Sequence, residues 1–485
     1  MAAPMAKRPV KRQLDDHDDR EENTACDQNS KPSKVLYSDC ARFLDWCREQ
    51  GIDVNPKVTV NRHGSCAQCG MVAVEDISKG EVLFSVPRAA LLHPETCSSI
   101  LASHLKEGAS ELRSASGWVP LILTVMYEYG NAESKWRPYL DLFPDYNELD
   151  QPMFWDSLFL KRELQGTGVP EVVAGDIHKM TQEYEEVALP FIKKNPDLFS
   201  TEVHTLELYK KVVAFVMAYS FTDPGNDDDE DDDADDDDDD DDDDDKVGRG
   251  SSRDPMMVPL ADALNHIAKN NAHLNFGKES LTMVAVSDIK KGEEVFNTYG
   301  DLANWELLHM YGFAEEHAEN CYDTVDIPCQ FLYEEVLRLH PDDKEVLEEK
   351  WTYLTEGDIL RPDGSFIVGV SGILTDEELY TALKVLTMEN EKFVKYLEDD
   401  GWCSDDETDE SLENENLPKL PESWRELLSA VATRCLDGFA ITAQEDQGTL
   451  ADPERLSKLS SRSRYALYVR TGQRELLERL RQLHT

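Results

Sequence analysis

Long apolar runs are missing from this sequence: the two longest, Val119–Tyr127 and Val212–Tyr219, fall well short of the ~20 residues that a membrane-spanning helix needs. The first residues are charged and hold no apolar core of a secretory leader, so a soluble, intracellular protein without a membrane partner is expected. Basic residues are scarce too, with 49 Lys and Arg against 99 Asp and Glu and a formal net charge of −50. That balance disfavours direct nucleic-acid binding, because phosphate contacts need cations. It makes proteins with basic segments the natural partners. Cysteine is sparse: Cys26, Cys40, Cys47, Cys66, Cys69, Cys97, Cys321, Cys329, Cys403 and Cys435 are too few and too scattered for a disulfide framework, and they read as reduced thiols. No period of roughly 20–50 residues recurs, which argues against a solenoid.

What is present is core material: 40% hydrophobic residues, with 8 Trp, 17 Tyr and 16 Phe, in a length that suits about two to four domains. Residues 1–35 hold Lys7-Arg8-Pro9-Val10-Lys11-Arg12 and then an acidic, apolar-poor stretch, so a disordered tail is predicted. The basic cluster reads either as a nuclear-localisation signal or as a solvating end. Asn226–Asp245 carries 18 acidic groups, and like charges at that density cannot pack. It reads first as a tolerated surface insertion and second as an electrostatic docking arm. Residues 399–416 form a second acidic stretch, read as a surface loop.

One near-repeat organises the chain. Met71-Val72-Ala73-Val74-Glu75-Asp76-Ile77-Ser78-Lys79-Gly80-Glu81 matches Met283–Glu293 at nine of eleven positions, 212 residues apart. Each copy is a β-branched run, a Lys-Gly turn and a further strand. Between them Trp118–Tyr129, Tyr184–Lys193 and Leu206–Phe221 show helical spacing, which predicts a helical insertion in a β-rich domain. Beyond about residue 325 amphipathic helices recur, at Phe331–Leu339, Asp376–Leu386, Trp424–Ala440 and Arg464–Leu483. The stretch Glu454–Arg481, with eight Lys and Arg against three Glu, is the most basic part; it reads first as docking on the acidic body and second as facing a partner.

Three motifs carry chemistry: Pro259-Leu260-Ala261-Asp262-Ala263-Leu264-Asn265-His266, then Phe296-Asn297-Thr298-Tyr299-Gly300, then Met310-Tyr311-Gly312-Phe313. In this order, after a strand-Lys-Gly-strand unit, they resemble the core of a SET-domain protein methyltransferase. Trp136-Arg137-Pro138-Tyr139, Met153-Phe154-Trp155 and Leu164-Gln165-Gly166-Thr167 extend the likeness to the Rubisco-methyltransferase-like branch. The resemblance implies an α+β fold: a β-rich SET domain at 36–315, interrupted by a helical insertion at about 92–254, then an all-helical C-terminal substrate-binding domain at 325–485. It implies protein-lysine N-methylation, by resemblance monomethylation, with S-adenosyl-L-methionine as cofactor. It also implies nuclear substrates in transcription or chromatin, such as an NF-kappa-B subunit or a histone H2A variant, and a nuclear location.

By the same resemblance Tyr299 lies at the pore joining cofactor and lysine, and Tyr311 flanks the methyl group. Asn265 and His266 hold the cofactor, with Ala67, Gln68 and Cys69 as the other wall. Here Gln68 stands where the family has Gly, and Cys69 where it has an apolar or aromatic residue. Tyr219 occupies the place of a cofactor-contacting Arg in related branches, so a bidentate clamp is replaced by one hydroxyl. Trp118, Ser220, Phe221 and Asp262 fall on the substrate side, and Phe221 matches lysine-methylating relatives where a histidine-methylating one has Asn. Taken singly, Trp118 and Phe221 read equally well as core, Asp262 and His266 as a helical pair, and Tyr299 as a turn aromatic. His63, Cys66 and Cys69 have a spacing that invites zinc, and Cys66 and Cys69 one that invites a redox Cys-x-x-Cys, but the segment overlaps the expected cofactor wall and the cysteines read as unligated loop thiols. No metal is expected. The rival reading is a non-catalytic acidic module that grips basic tails.

Overall fold

The computed structural model of the protein describes residues 39–67, 69–143, 149–223, 255–316, 318–357, 359–361, 363–398 and 412–484. The tail 1–35, Gln68, the Asp-rich run 226–245 and residues 399–411 of the second acidic stretch lie outside the described residues. The described strands are β1 (Asp53–Val54), β2 (Val58–Asn61), β3 (Gly70–Ala73), β4 (Val82–Pro87), β5 (Ser220–Phe221), β6 (Met256–Met257), β7 (Asn265–His266), β8 (Ala272–Phe276), β9 (Ser280–Ala285), β10 (Glu294–Asn297), β11 (Thr324–Pro328) and β12 (Ser365–Gly369).

The near-repeat is the frame of the β-rich region. Each copy's first strand pairs with the other copy's second: β3 runs antiparallel to β10 with Val72 opposite Glu294, and β4 antiparallel to β9 with Ser85 opposite Thr282. The turns mirror one another. Lys79 N–H donates to Asp288 Oδ1 at 2.9 Å and Lys291 N–H to Asp76 Oδ1 at 3.0 Å, while Ile77 and Ile289 exchange backbone bonds of 2.9 and 3.0 Å. Gly80 and Gly292 both sit at φ +88°, a turn conformation that disfavours any side chain. The two units are self-complementary, as the halves of a two-fold dimer would be. They lie at the centre of two four-stranded sheets, ordered β1-β4-β9-β8 and β2-β3-β10-β7.

Between the copies, the helices Val119–Gly130 and Leu206–Tyr219 pack into the main core through residues such as Ile122, Val125, Val212 and Phe215. The helix expected at Tyr184–Lys193 is the end of a longer one that starts at Val169 and passes through a π turn at Tyr184–Ala188. Pro190 has no N–H to give the helical ladder, and the π turn absorbs that break. The helix predicted to reach Phe221 stops at Tyr219: Ser220 and Phe221 form β5, paired antiparallel with β6. Pro224 disfavours helical geometry just before it, and Asp223 is held by Arg88 at 2.6 Å.

The C-terminal region packs Cys329–Leu339, Lys344–Glu356, Asp376–Thr387, Glu422–Asp437 and Ser461–Arg481 around Leu332, Leu354, Leu383 and Leu477. The β11–β12 pair, with Val325 opposite Val368, adds a small sheet to the helices expected there, as its β-branched residues favour. A third cluster, including Trp155, Leu164, Leu308, Ala466 and Val469, joins this region to the insertion. The basic terminal helix docks through buried charge. Arg470, 3% exposed, donates to both Asp446 oxygens at 3.0 and 2.5 Å and to Glu163 O at 2.7 Å, and Arg474 also reaches Asp446.

Candidate active site

Parallel pairing of β7 with β10 sets Phe296 beside Asn265 and Asn297 beside His266, so the chain after β10 delivers Tyr299 next to the Asn-His pair. The approach to β7 is strained: Leu260, at φ +81°, is the one described non-glycine residue with positive φ. Such outliers persist where surrounding structure enforces them, often at functional sites.

Tyr299 is fixed twice. Its N–H donates to His266 Nδ1 at 3.0 Å and its hydroxyl to Leu264 O at 2.9 Å. Its ring stacks on Tyr311 with centroids 4.6 Å apart and lies 5.2 Å from the His266 ring. Because His266 Nδ1 accepts, the neutral ring carries its proton on Nε2, a buried atom without a partner among the described residues. Burial pulls the His266 pKa down to about 4 and pushes the Tyr299 phenol well up. Tyr311 ends the helix Asn304–Tyr311, closed by Gly312 at φ +81°, and burial raises its pKa to about 12.

Asn265, 1% exposed, donates from Nδ2 to Cys69 O at 3.0 Å and to Glu294 Oε1 at 2.5 Å. Tyr219 packs against Phe143 and Phe215, with centroids 4.6 and 5.0 Å away, and burial raises its phenol as well. Cys66 points its sulfur at His266 O and Cys69 at Leu142 O, and burial pushes both thiols up to about 11.

These side chains converge. Cys66, Ala67, Ala218, Tyr219, Asn265, Tyr299, Tyr311 and Phe313 line one narrow cleft. Of the positions named from the sequence, Ala67, Tyr219, Asn265, Tyr299 and Tyr311 line it. His266 and Cys69 back its wall, and Gln68 is outside the described residues. The four substrate-side positions do not line it. Asp262, 5% exposed, stands behind the cleft, taking a hydrogen bond from the Tyr139 hydroxyl, and burial drives its pKa well up. It is thus a buried acid and not a carboxylate open to the substrate side, where the resemblance put it. Ser220 and Phe221 lie in β5, directly after Tyr219. Trp118 opens the helix Val119–Gly130, and its neighbours Gly117 and Pro120 line a different, larger cleft. Phe313 and Glu294 belong to the site and were missed. Phe313 sits two residues after Tyr311 inside a motif already singled out, whereas Glu294 leaves no local signal beyond preceding Phe296-Asn297-Thr298-Tyr299.

Fold and cleft together define a SET-domain methyltransferase with an appended substrate-binding domain: the SET domain model matches residues 68–300, and the model for Rubisco LSMT substrate-binding matches residues 341–477. N-lysine methyltransferase setd6 of Salmo salar is 46% identical over 447 residues, covering 91% of this chain and 95% of the relative. The setd6 of Danio rerio is 46% identical over 457 residues (93% and 96%), and SETD6 of Homo sapiens 40% over 469 (91% and 95%). The chain belongs to this family, the N-lysine methyltransferases named SETD6. In fold it is like Rubisco LSMT bound to AdoMet, with a TM-score of 0.62 at 19% identity over 93% of this chain and 92% of that one. The SET domain of LSMT bound to lysine and AdoHcy gives a TM-score of 0.62 at 19% identity, with 93% and 91% covered.

Proposed function

We propose that this protein transfers one methyl group from S-adenosylmethionine to the Nζ of a lysine in another protein. Its substrates, on this reading, are nuclear proteins with basic segments, an NF-kappa-B subunit and a histone H2A variant among them, and Lys7–Arg12 directs the protein to the nucleus. The observation that carries the enzymatic reading is the convergence of Ala67, Tyr219, Asn265, Tyr299 and Tyr311, from separate stretches of the chain, on one cleft.

The wall fits such a cofactor. A Cβ on Gly64 would stand 2.2 Å from Cys69 O and 2.5 Å from Asn265 Nδ2, and one on Gly70 would stand 2.6 Å from Glu294 Oε1, so both positions admit only glycine beside the Asn amide. When bound, S-adenosylmethionine supplies an electrophilic sulfonium methyl. Asn265 and the His266 backbone hold it, with Ala67, Gln68 and Cys69 as the facing wall and Tyr219 giving one hydroxyl. An incoming lysine has a pKa of ~10.4 in water and must lose its proton before it can attack. Burial beside Tyr299, Tyr311 and Phe313 disfavours the ammonium and excludes water. Tyr299, pinned at its N–H and its hydroxyl, aligns the amine, and Ser220 and Phe221, directly after Tyr219, are the expected substrate-side positions nearest the cleft in sequence.

Incubation with labelled S-adenosylmethionine and an array of nuclear proteins, followed by fragment mass spectrometry, tests this. One added methyl on lysine is the expected product. Absence of transfer together with tight retention of basic tails would favour the non-catalytic acidic module instead.

A further inference from the structure

Glu294 opens β10 opposite Val72, and its side chain reaches the gap between the 64–70 loop and β7. Oε1 accepts from Asn265 Nδ2 at 2.5 Å, and the two oxygens accept from Ser65 N–H at 3.3 and 3.1 Å. One carboxylate thus ties β10, β7 and the loop that forms the cofactor wall. The two glycines described above are what let it approach so closely.

The pairing also settles which way the Asn265 amide faces. Its nitrogen meets two acceptors, Glu294 Oε1 and Cys69 O. Turning the amide over would set Oδ1 against two oxygens, a repulsion with no compensating bond. With both amide hydrogens engaged, Oδ1 is the atom that Asn265 has left to offer, and it can only accept. Among the described residues, none of those lining the cleft is Lys or Arg, whereas Glu294 brings a carboxylate behind the amide. A cleft so built favours a cationic group at Asn265.

We infer that Glu294 is a positioning residue: by fixing the amide of Asn265 with Oδ1 as acceptor, it makes the cleft select ligands that present an ammonium there. This rests on the reading of the cleft as the S-adenosylmethionine site, whose amino-acid end carries that ammonium. Glu294→Gln replaces a double acceptor by a group that accepts at one atom and donates at the other, so the amide is no longer held one way.

Calorimetric titration of the full chain with S-adenosylhomocysteine, which keeps the amino-acid end, and with methylthioadenosine, which lacks it, tests the inference. In Glu294→Gln the first ligand should bind about tenfold more weakly, the loss of one modest polar interaction, and the second as in wild type. Equal weakening of both would make Glu294 a merely structural residue and overturn the proposal, as would unchanged binding of both. If Glu294→Gln does not fold by circular dichroism, Glu294→Asp, which keeps the charge but shortens the reach, must show the same ligand contrast. Binding of neither ligand by the wild type would overturn the cofactor reading and this inference with it, whereas a wild type that binds S-adenosylhomocysteine and an Asn265→Ala variant that loses it would leave Glu294 alone at issue.

Discussion

At the scale of single residues, Tyr299 and His266 work as a pair. The imidazole accepts from the tyrosine's N–H, and Leu264 O accepts the hydrogen bond of the phenol, so the ring is held at both ends. On the proposed function, replacing Tyr299 by Phe removes a positioned hydroxyl from the cleft. Turnover should fall roughly 10- to 1000-fold, as when a positioned polar group is lost, with the S-adenosylmethionine dissociation constant unchanged by calorimetry. His266 sets a pH dependence. Its pKa is about 4 in the fold against an ordinary 6.5, so below pH 6.5 the unfolded chain takes up a proton that the folded chain refuses. Stability supported by the neutral ring is therefore whole above pH 6.5 and is lost as pH falls toward 4, by at most about 3 kcal/mol. Urea unfolding at several pH values should show that slope in wild type and a shallower one in His266→Gln. Asn265, His266, Tyr299 and Tyr311 were legible because each lies in a short motif whose order along the chain is distinctive. Glu294 and the true depth of Asp262 were not. Their roles come from partners such as Ser65 and Tyr139, which sequence proximity does not reveal.

At the scale of elements, the near-repeat was legible as two strand-turn-strand units, but not their mutual embrace, since sequence periodicity gives a strand's faces and not its neighbours. The same limit explains β5. Apolar spacing continued past Tyr219, and only the pairing of Ser220 with Met257 turns those residues into a strand. The pseudo-symmetry leads to a paired expectation. A Cβ on Gly80 or Gly292 would meet nothing within 4 Å, so Gly→Ala at either site costs backbone strain alone. Each change should destabilise by roughly 1–2 kcal/mol, the left-handed penalty of an L residue, and the two values should be alike. Chemical denaturation of the two single variants checks this, and a large disparity would show that the turns are not equivalent.

At the scale of the whole molecule, the excess of acid is offset locally where the terminal helix meets the insertion. Asp446, 3% exposed, is the shared counter-charge of Arg470 and Arg474. Asp446→Ala would leave two buried guanidinium groups with one partner fewer, and loss of a buried partner typically costs about 3–5 kcal/mol. A fall in thermal stability of that order, read by calorimetry, is expected, whereas a change within error would mean that water replaces the carboxylate. The basic character of Glu454–Arg481 was readable from the sequence, but charge alone left open whether it docks on the acidic body or faces a partner. The residues that receive it, Glu163 and Asp446, were not readable, because each is one of many acidic residues until the fold buries it.

The reciprocal pairing of β3 with β10 and of β4 with β9 also sets a timetable for synthesis. The two copies of the repeat are 212 residues apart, so a ribosome adding ~5–20 residues per second delivers the second roughly 10–40 s after the first. Throughout that interval β3 has only β2 and β4 only the short β1 beside it, so the edges that later receive β10 and β9 stay open, and unpaired apolar edges are templates for wrong partners. The nascent chain thus makes its greatest demand on chaperones while the insertion is being translated, and a message truncated before Met283 yields a polypeptide that can shield neither edge.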